Sequence, residues 1–223
     1  MGILTELADR HNSDKGTVYG HCHNYVDFYE AHFKNLKNQT VNILEIGVHD
    51  GSSLRMWYDY FPNASIYGLD IDDKSIYDND RISCGILDQS NESHLEYFAD
   101  KVGIKFDIIL DDGSHHMRDQ QLTFAYLLPL LKSKGLYVLE DLHTSLCENG
   151  EMLYGRPVEV WSTKVNTTLH YLTNKPHTSV YLNDTQNEHV QSQIEDVFIQ
   201  DLENPAVPST YKNRSITSII KKK

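Results

Sequence analysis

The sequence has no apolar run approaching the length needed to cross a bilayer, and its first twenty residues are polar. Neither a membrane span nor a secretory signal is expected. Cysteine is scarce: Cys22, Cys84 and Cys147 are isolated and odd in number. That pattern excludes a disulfide framework and C-x-x-C metal spacing, and it predicts a reducing, cytoplasmic setting. Positive charge is short as well, with 20 Lys and Arg against 32 Asp and Glu and a formal net charge of −12. A nucleic-acid binder needs a basic surface to displace counterions. The basic cluster present, Lys221-Lys222-Lys223, is a terminal tail, so nucleic acid is not an expected partner. Repeats and low-complexity segments are missing too.

What is present is an ordinary globular balance. The 223 residues are 39% hydrophobic and 23% charged, which suits one domain with a sheet-and-helix core. A homo-oligomer is compatible with that composition. In residues 1–40, Tyr25, Phe28, Tyr29, His32, Phe33 and Leu36 recur at three- and four-residue steps, which predicts a helical cap over the start of a sheet. Residues 41–223 then form the main body of the same domain. Short apolar runs at Val41–Ile46, Ser65–Leu69, Arg81–Leu87, Phe106–Leu110 and Gly135–Leu139 read as strands. They alternate with helical stretches at Ser52–Tyr60, Asn91–Lys101 and Met117–Leu131. Such alternation predicts parallel βαβ units with helices on both faces of one sheet, a Rossmann-like α/β fold. Beyond Asp141 the reading is a helix over Val158–Leu172 and strands at Ser179–Leu182, Val197–Ile199 and Ser215–Ile220. The late strands form an antiparallel hairpin at the sheet edge, with 201–214 a loop or lid.

The first chemical motif is Ile43-Leu44-Glu45-Ile46-Gly47-Val48-His49-Asp50-Gly51-Ser52, a buried strand breaking into a glycine turn that opens a helix. Glycine serves where backbone approaches a ligand or takes positive φ. The next strand ends at Asp70, about twenty residues beyond the turn, where a carboxylate can meet a ribose diol. Glu45 favours S-adenosylmethionine over NAD: an acidic strand residue suits an ammonium and a sulfonium and repels a pyrophosphate. His49 stands where a stricter fingerprint has a second glycine. Asp88, at the end of the third strand, is placed to meet an adenine amino group. An ordinary strand–turn–helix with a surface Asp70, and a helix-capping Asp88, are the plainer alternatives.

The second motif is Asp111-Asp112-Gly113-Ser114-His115-His116 after an apolar strand, with Glu140-Asp141 ending the next strand 28 residues beyond Asp112. Carboxyl ends of strands are where open α/β sheets bind ligands. Asp112, Glu140 and Asp141 on one edge repel one another unless a cation or protons intervene. Their oxygens suit Mg²⁺, with Mn²⁺ or Ca²⁺ as alternatives. His115 is close enough to act as general base on a metal-bound hydroxyl, with an unperturbed pKa of about 6.5. The plain alternative is that these acids cap the following helix.

Together these residues resemble the metal-dependent sugar O-methyltransferases of macrolide and related glycan biosynthesis. The resemblance rests on Glu45-Ile46-Gly47 with Gly51, Asp70, Asp88-Gln89-Ser90, Asp111-Asp112-Gly113-Ser114-His115 and Glu140-Asp141. Upstream it takes in Ser13-Asp14-Lys15-Gly16, His23-Asn24-Tyr25 and Tyr29. It implies a class I adenosylmethionine-dependent fold, Mg²⁺ on Asp112, Glu140 and Asp141, and His115 as base. It further implies a donor site drawing on Gln89, Asp111, Tyr25 and Tyr29 as well as Glu45, Gly47, Gly51, Asp70 and Asp88, with a sugar or glycan acceptor such as rhamnose. Without the resemblance, the tyrosines read as core-facing. A catechol-type O-methyltransferase, a non-catalytic adenosylmethionine- or metal-binding domain and a metal-dependent hydrolase are the competing readings.

Overall fold

The computed structural model describes residues 2–18, 20 and 22–223. Met1, Tyr19 and His21, which fall within the stretch 1–40 read as a cap, lie outside the described residues. The chain runs α1 (Ile3–His11), α2 (Val26–Phe33), β1 (Asn42–Ile46), α3 (Ser52–Tyr60), β2 (Ser65–Asp70), β3 (Ile82–Ile86), α4 (Glu92–Lys101), β4 (Phe106–Asp111), α5 (Met117–Leu127) and β5 (Leu131–Leu139). A two-residue pair, β6 (Met152–Leu153) and β7 (Arg156–Pro157), precedes α6 (Thr168–Thr173), α7 (Asp184–Gln193), β8 (Ile194–Glu203) and β9 (Arg214–Lys222).

The main sheet has seven strands in the order β3-β2-β1-β4-β5-β9-β8. The first five pair in parallel. β9 is antiparallel to both β5 and β8. This is the expected doubly wound sheet with an antiparallel hairpin at one edge. Strand order reverses between β1 and β4, so their carboxyl ends open a crevice at the topological switch point. Ile43, Leu44, Glu45 and Ile46 are all buried, as helices on both faces demand. On one face α1, α2 and α3 pack an aromatic core around Tyr29, Phe33, Trp57 and Phe61. On the other, Leu122, Phe124 and Leu127 of α5 pack with Tyr137 and Ile220.

Several expectations past Asp141 are corrected. Val158–Leu172 is a folded-back loop ending in the short α6, because Asn166 holds the backbone at two places. Its Nδ2 donates to the Glu159 carbonyl at 2.6 Å and its Oδ1 accepts from Trp161 N at 3.0 Å, a local alternative to helix. Ser179–Leu182 is not a strand. The Asn187 side chain accepts from Ser179 N and donates to the Ser179 and Leu182 carbonyls, so this backbone has no need of a strand partner. The helix α7 was not anticipated, since only Asn187 and Val190 are buried on it. Its sequence signal is the reciprocal cap of Asn183 and Gln186. The hairpin strands are longer than read, leaving 204–213 as the connecting loop, and the 1–40 stretch holds two helices joined by an irregular segment.

Candidate functional site

The glycine turn after β1 is held by protein groups. Asp70 Oδ2 accepts from the amides of Val48 at 2.8 Å and His49 at 3.0 Å, and Oδ1 accepts from Asp72 N at 3.0 Å. Ser52 N donates to Asp50 Oδ1 at 3.0 Å. Gly47 has φ +87°, and a Cβ there would run into the Asp112 carbonyl, so glycine lets the ends of β1 and β4 meet. His49 takes the left-handed conformation, φ 49°, without being glycine. With Val48, His49 and Ser52 amides turned onto carboxylates, the turn is a poor pyrophosphate cradle. It fits a nucleoside ligand without phosphate, such as adenosylmethionine. Ile71, next to Asp70, is 66% exposed although apolar, a surface suited to a flat ring.

The other residues expected to touch a donor are mostly engaged inside the protein. Glu45 is fully buried, accepts from Trp57 Nε1 at 3.1 Å and lies 3.8 Å from Lys15 Nζ. Burial lifts its pKa to about 7, with Lys15 opposing. Gln89 donates to Asp111 Oδ1 at 2.6 Å and accepts from Ser114 N at 2.8 Å, bracing the ends of β3 and β4. Asp111 is fully buried, and burial raises it to about 8. Asp88 accepts from the amide and hydroxyl of Ser90. Tyr29 is buried with its hydroxyl 2.9 Å from Thr217 Oγ1, and Tyr25 donates to Asp141 Oδ1 at 2.9 Å. Gly51, φ 72°, packs against the Tyr77 ring.

The second constellation gathers at the ends of β4 and β5. Asp112, His115 and Asp141 offer ligand atoms that all lie within 4.8 Å of one another, as do those of His23, Asp141 and His143. His115 Nε2 stands 3.4 Å from Asp141 Oδ2 and 3.9 Å from Asp112 Oδ1. On the other carboxylate oxygen, His23 Nε2 is at 3.8 Å and His143 Nδ1 at 3.9 Å from Asp141 Oδ1. Burial would raise Asp141, but His23, His143, His115 and the Tyr25 hydrogen bond outweigh it and hold the carboxyl well below the usual range. His143 is pushed down to about 4 by burial. A cavity of about 200 Å³ opens over His23, His115, Asp141 and His143, walled by Tyr154, Tyr211, Val207 and Pro208.

Glu140 meets the buried lysine that also contacts Asp112. Its Oε2 lies 3.1 Å from Lys15 Nζ, while its Oε1 is buried without a hydrogen-bond partner. Lys15, 1% exposed, also contacts Asp112 Oδ2 and reaches Asp14 at 3.9 Å. Burial would lower its pKa, but the four carboxylates raise it well above the ordinary lysine value. Burial and the Asp112 charge raise Glu140. Asp112 therefore has two sets of neighbours, His115 and Asp141 on one side and the lysine that it shares with Glu140 on the other. Two carboxylates, an imidazole and an orphaned carboxylate oxygen form a donor set that fits Mg²⁺ or Mn²⁺. The reading of Lys15 as part of an N-terminal signature missed its position, which lies 97 residues from Asp112 in the chain.

The sheet order and the crevice at its switch point define a Rossmann-like class I methyltransferase fold. The chain is similar in sequence to sugar O-methyltransferases of macrolide and tetracenomycin pathways, in line with the sequence resemblance. Mycinamicin VI 2''-O-methyltransferase of Micromonospora griseorubida is 42% identical over 149 residues, covering 64% of this chain and 36% of that protein. The 8-demethyl-8-alpha-L-rhamnosyl tetracenomycin-C 2'-O-methyltransferase of Streptomyces olivaceus is also 42% identical over 149 residues, covering 64% of this chain and 38% of that protein. Among solved structures, the MycE methyltransferase of the mycinamycin pathway, in complex with Mg, SAH and mycinamycin VI, superposes with a TM-score of 0.72. It is 28% identical, and the match covers 99% of this chain and 54% of that one. The chain thus spans little more than a third of the length of the curated relatives it matches. No protein-family model matches it.

Proposed function

We propose that this chain transfers a methyl group from S-adenosylmethionine to a sugar hydroxyl, with Mg²⁺ or Mn²⁺ held by Asp112, Glu140 and Asp141 and with His115 as general base. The observation that carries this reading is the meeting of Asp112, His115 and Asp141 beyond the ends of β4 and β5, with His115 and Asp141 lining a cavity. The sequence relatives and the Mg- and SAH-bound MycE structure support it.

When bound, the donor supplies an electrophilic methyl group, and the divalent ion makes the acceptor hydroxyl more acidic and fixes its direction. The chain's own part is alignment and proton handling. Asp70, Ile71 and Asp88 line the strand ends where the nucleoside lies. Gln89 and Asp111 brace that surface from beneath, Glu45 backs the turn through Trp57, Tyr25 and Tyr29 support the acidic edge through Asp141 and Thr217, and Gly47 and Gly51 shape the turn. His115 takes the acceptor proton at Nε2, and the anionic Asp141 at 3.4 Å stabilises the imidazolium that results. The rings of Tyr154 and Tyr211 give the cavity amphipathic walls, suited to a ligand with apolar faces and a polar edge. A deoxyhexose such as rhamnose, on a glycan or glycosylated natural product, meets that description. Residues 1–40 belong in this reading to the same domain as 41–223, since Lys15 and the α1–α2 face complete both site and core. Free Cys22, Cys84 and Cys147 support a cytoplasmic setting, and the net charge of −12 argues against a nucleic-acid substrate. Among the described residues, no helix is long and apolar enough to cross a membrane.

The test is methyl transfer from labelled donor to rhamnosides and catechols side by side, read by mass spectrometry. A methylated sugar is expected, and methylation of the catechol alone would sink the sugar reading. His115→Ala should cut turnover by roughly 10²–10⁴-fold while calorimetry shows donor binding unchanged. Lost donor binding would mean that His115 is misassigned.

A further inference from the structure

Lys15 has no role in the chemistry above, yet it sits among the charges that matter most. Its ammonium contacts Asp112 and lies 3.1 Å from Glu140 and 3.8 Å from Glu45, with 1% of the residue exposed. Its backbone is fixed as well: the Lys15 carbonyl accepts from Tyr25 N at 2.9 Å and Val26 N at 3.3 Å, at the start of α2. Two oxygens of the cluster, Glu45 Oε1 and Glu140 Oε1, are buried without a hydrogen bond. One monovalent cation therefore leaves the cluster under-neutralised and under-coordinated, and buried carboxylates in that state favour additional positive charge.

We propose that Lys15 is a resident counter-cation that competes with the divalent ion for Asp112 and Glu140, its ammonium withdrawing toward Glu45 and Asp14 when the ion binds. This rests on the reading of Asp112, Glu140 and Asp141 as metal ligands and adds to it a built-in selectivity. Exchanging the ammonium for Na⁺ or K⁺ gains no charge, so a monovalent ion has little to displace it with. A divalent ion in the ammonium's place adds one positive charge at Asp112 and Glu140 and can use the stranded Glu140 oxygen. The lysine also keeps the carboxylates together in the ion-free chain, so the site is assembled before the ion arrives.

The experiment is calorimetric titration of the whole chain with MgCl₂ alone, with neither donor nor acceptor, for wild type, Lys15→Met and Asp112→Asn. Lys15→Met should bind Mg²⁺ at least about tenfold tighter, since a like charge has been removed from the site, and should gain more thermal stability from Mg²⁺ than wild type does. Asp112→Asn should bind it more weakly. Equal or weaker Mg²⁺ binding by Lys15→Met, with wild type still depending on Asp112, would overturn this proposal and leave the metal reading standing. A wild type that binds no Mg²⁺ would overturn both. Should Lys15→Met not fold, wild type with isotope-labelled lysine side chains gives the answer by NMR. The resonance absent from Lys15→Arg should shift on adding Mg²⁺ and stay still with Na⁺, and an immobile signal with Mg²⁺ would refute the competition.

Discussion

Asp111→Asn isolates the electrostatics beneath the site. Asp111 ends β4 fully buried, with Oδ1 accepting from Gln89 Nε2 and Oδ2 left without a partner. Burial raises its carboxyl from 3.8 to about 8. The folded protein therefore keeps a proton that the unfolded chain loses at lower pH, and stability falls as pH rises from about 4 to about 8 and is then level. The rise from 3.8 to about 8, at about 1.36 kcal/mol for each pH unit, is worth about 6 kcal/mol across that window. At about pH 5 only about 2 kcal/mol of the penalty has developed, so a neutral side chain should gain a further ~4 kcal/mol over wild type by about pH 9. Asparagine keeps the acceptor for Gln89 and puts an amide N–H₂ at the partnerless position. That unmet donor costs about 1–3 kcal/mol at every pH. The intercept is thus set by the unmet amide donor, and the slope by the charge. Urea unfolding of both proteins at about pH 5, 7 and 9 gives the difference directly. A difference that does not change with pH would refute the argument, because it would mean that Asp111 is already ionised in the folded protein.

Glu45→Gln should behave alike on a smaller scale. With Glu45 raised from 4.5 to about 7, the variant gains about 3 kcal/mol relative to wild type between pH 4.5 and 7, and a flat difference in denaturation would contradict it. Asp70→Ala strips the acceptor from the Val48 and His49 amides. It should lower stability by about 1–3 kcal/mol and weaken donor binding, while acceptor affinity, measured separately, stays as it was. Gly47→Ala adds a Cβ at φ +87° against the Asp112 carbonyl. It should cost about 2 kcal/mol or more in chemical denaturation, and a neutral result would mean that the two strand ends do not meet as closely as described.

The parallel part of the fold was legible because each βαβ unit carries its own pattern: an apolar run, a turn, an amphipathic stretch. Asp112, His115 and Asp141 were legible for the same reason, since strand-end residues of adjacent strands must share an edge. What could not be read was anything decided by a single side chain acting at a distance. Lys15 reaches Asp112 across 97 positions, and no local pattern distinguishes a buried lysine from a solvated one. Asn166 and Asn187 each claim backbone groups that apolar periodicity had assigned to a helix and a strand. Helix α7 buries too little apolar surface to leave a periodic trace. Glu140 follows the end of β5, but its direction depends on the lysine and so had no signal of its own.

Backbone conformation ties the two strand ends together more tightly than the acidic residues alone would. His115 and Asp141 both hold left-handed φ, 57° and 54°, at about 1–2 kcal/mol each for a residue with a Cβ. Such strain persists only where the surroundings fix it. Here one hydroxyl contacts both: Thr144 Oγ1 is 3.0 Å from the His115 carbonyl and 3.0 Å from the Asp141 carbonyl. Thr144 is buried in the turn after β5, and that turn starts at Asp141 because the left-handed residue redirects the chain. The bend that aims the carboxylate therefore also delivers the hydroxyl that anchors the histidine. His115 and Asp141 come from different strands, but neither can relax toward ordinary φ without disturbing the contact that holds the other. Their 3.4 Å approach is consequently a property of the two turns jointly, not of the side-chain contact, whose own attraction across a partly open cavity would be too weak to set it.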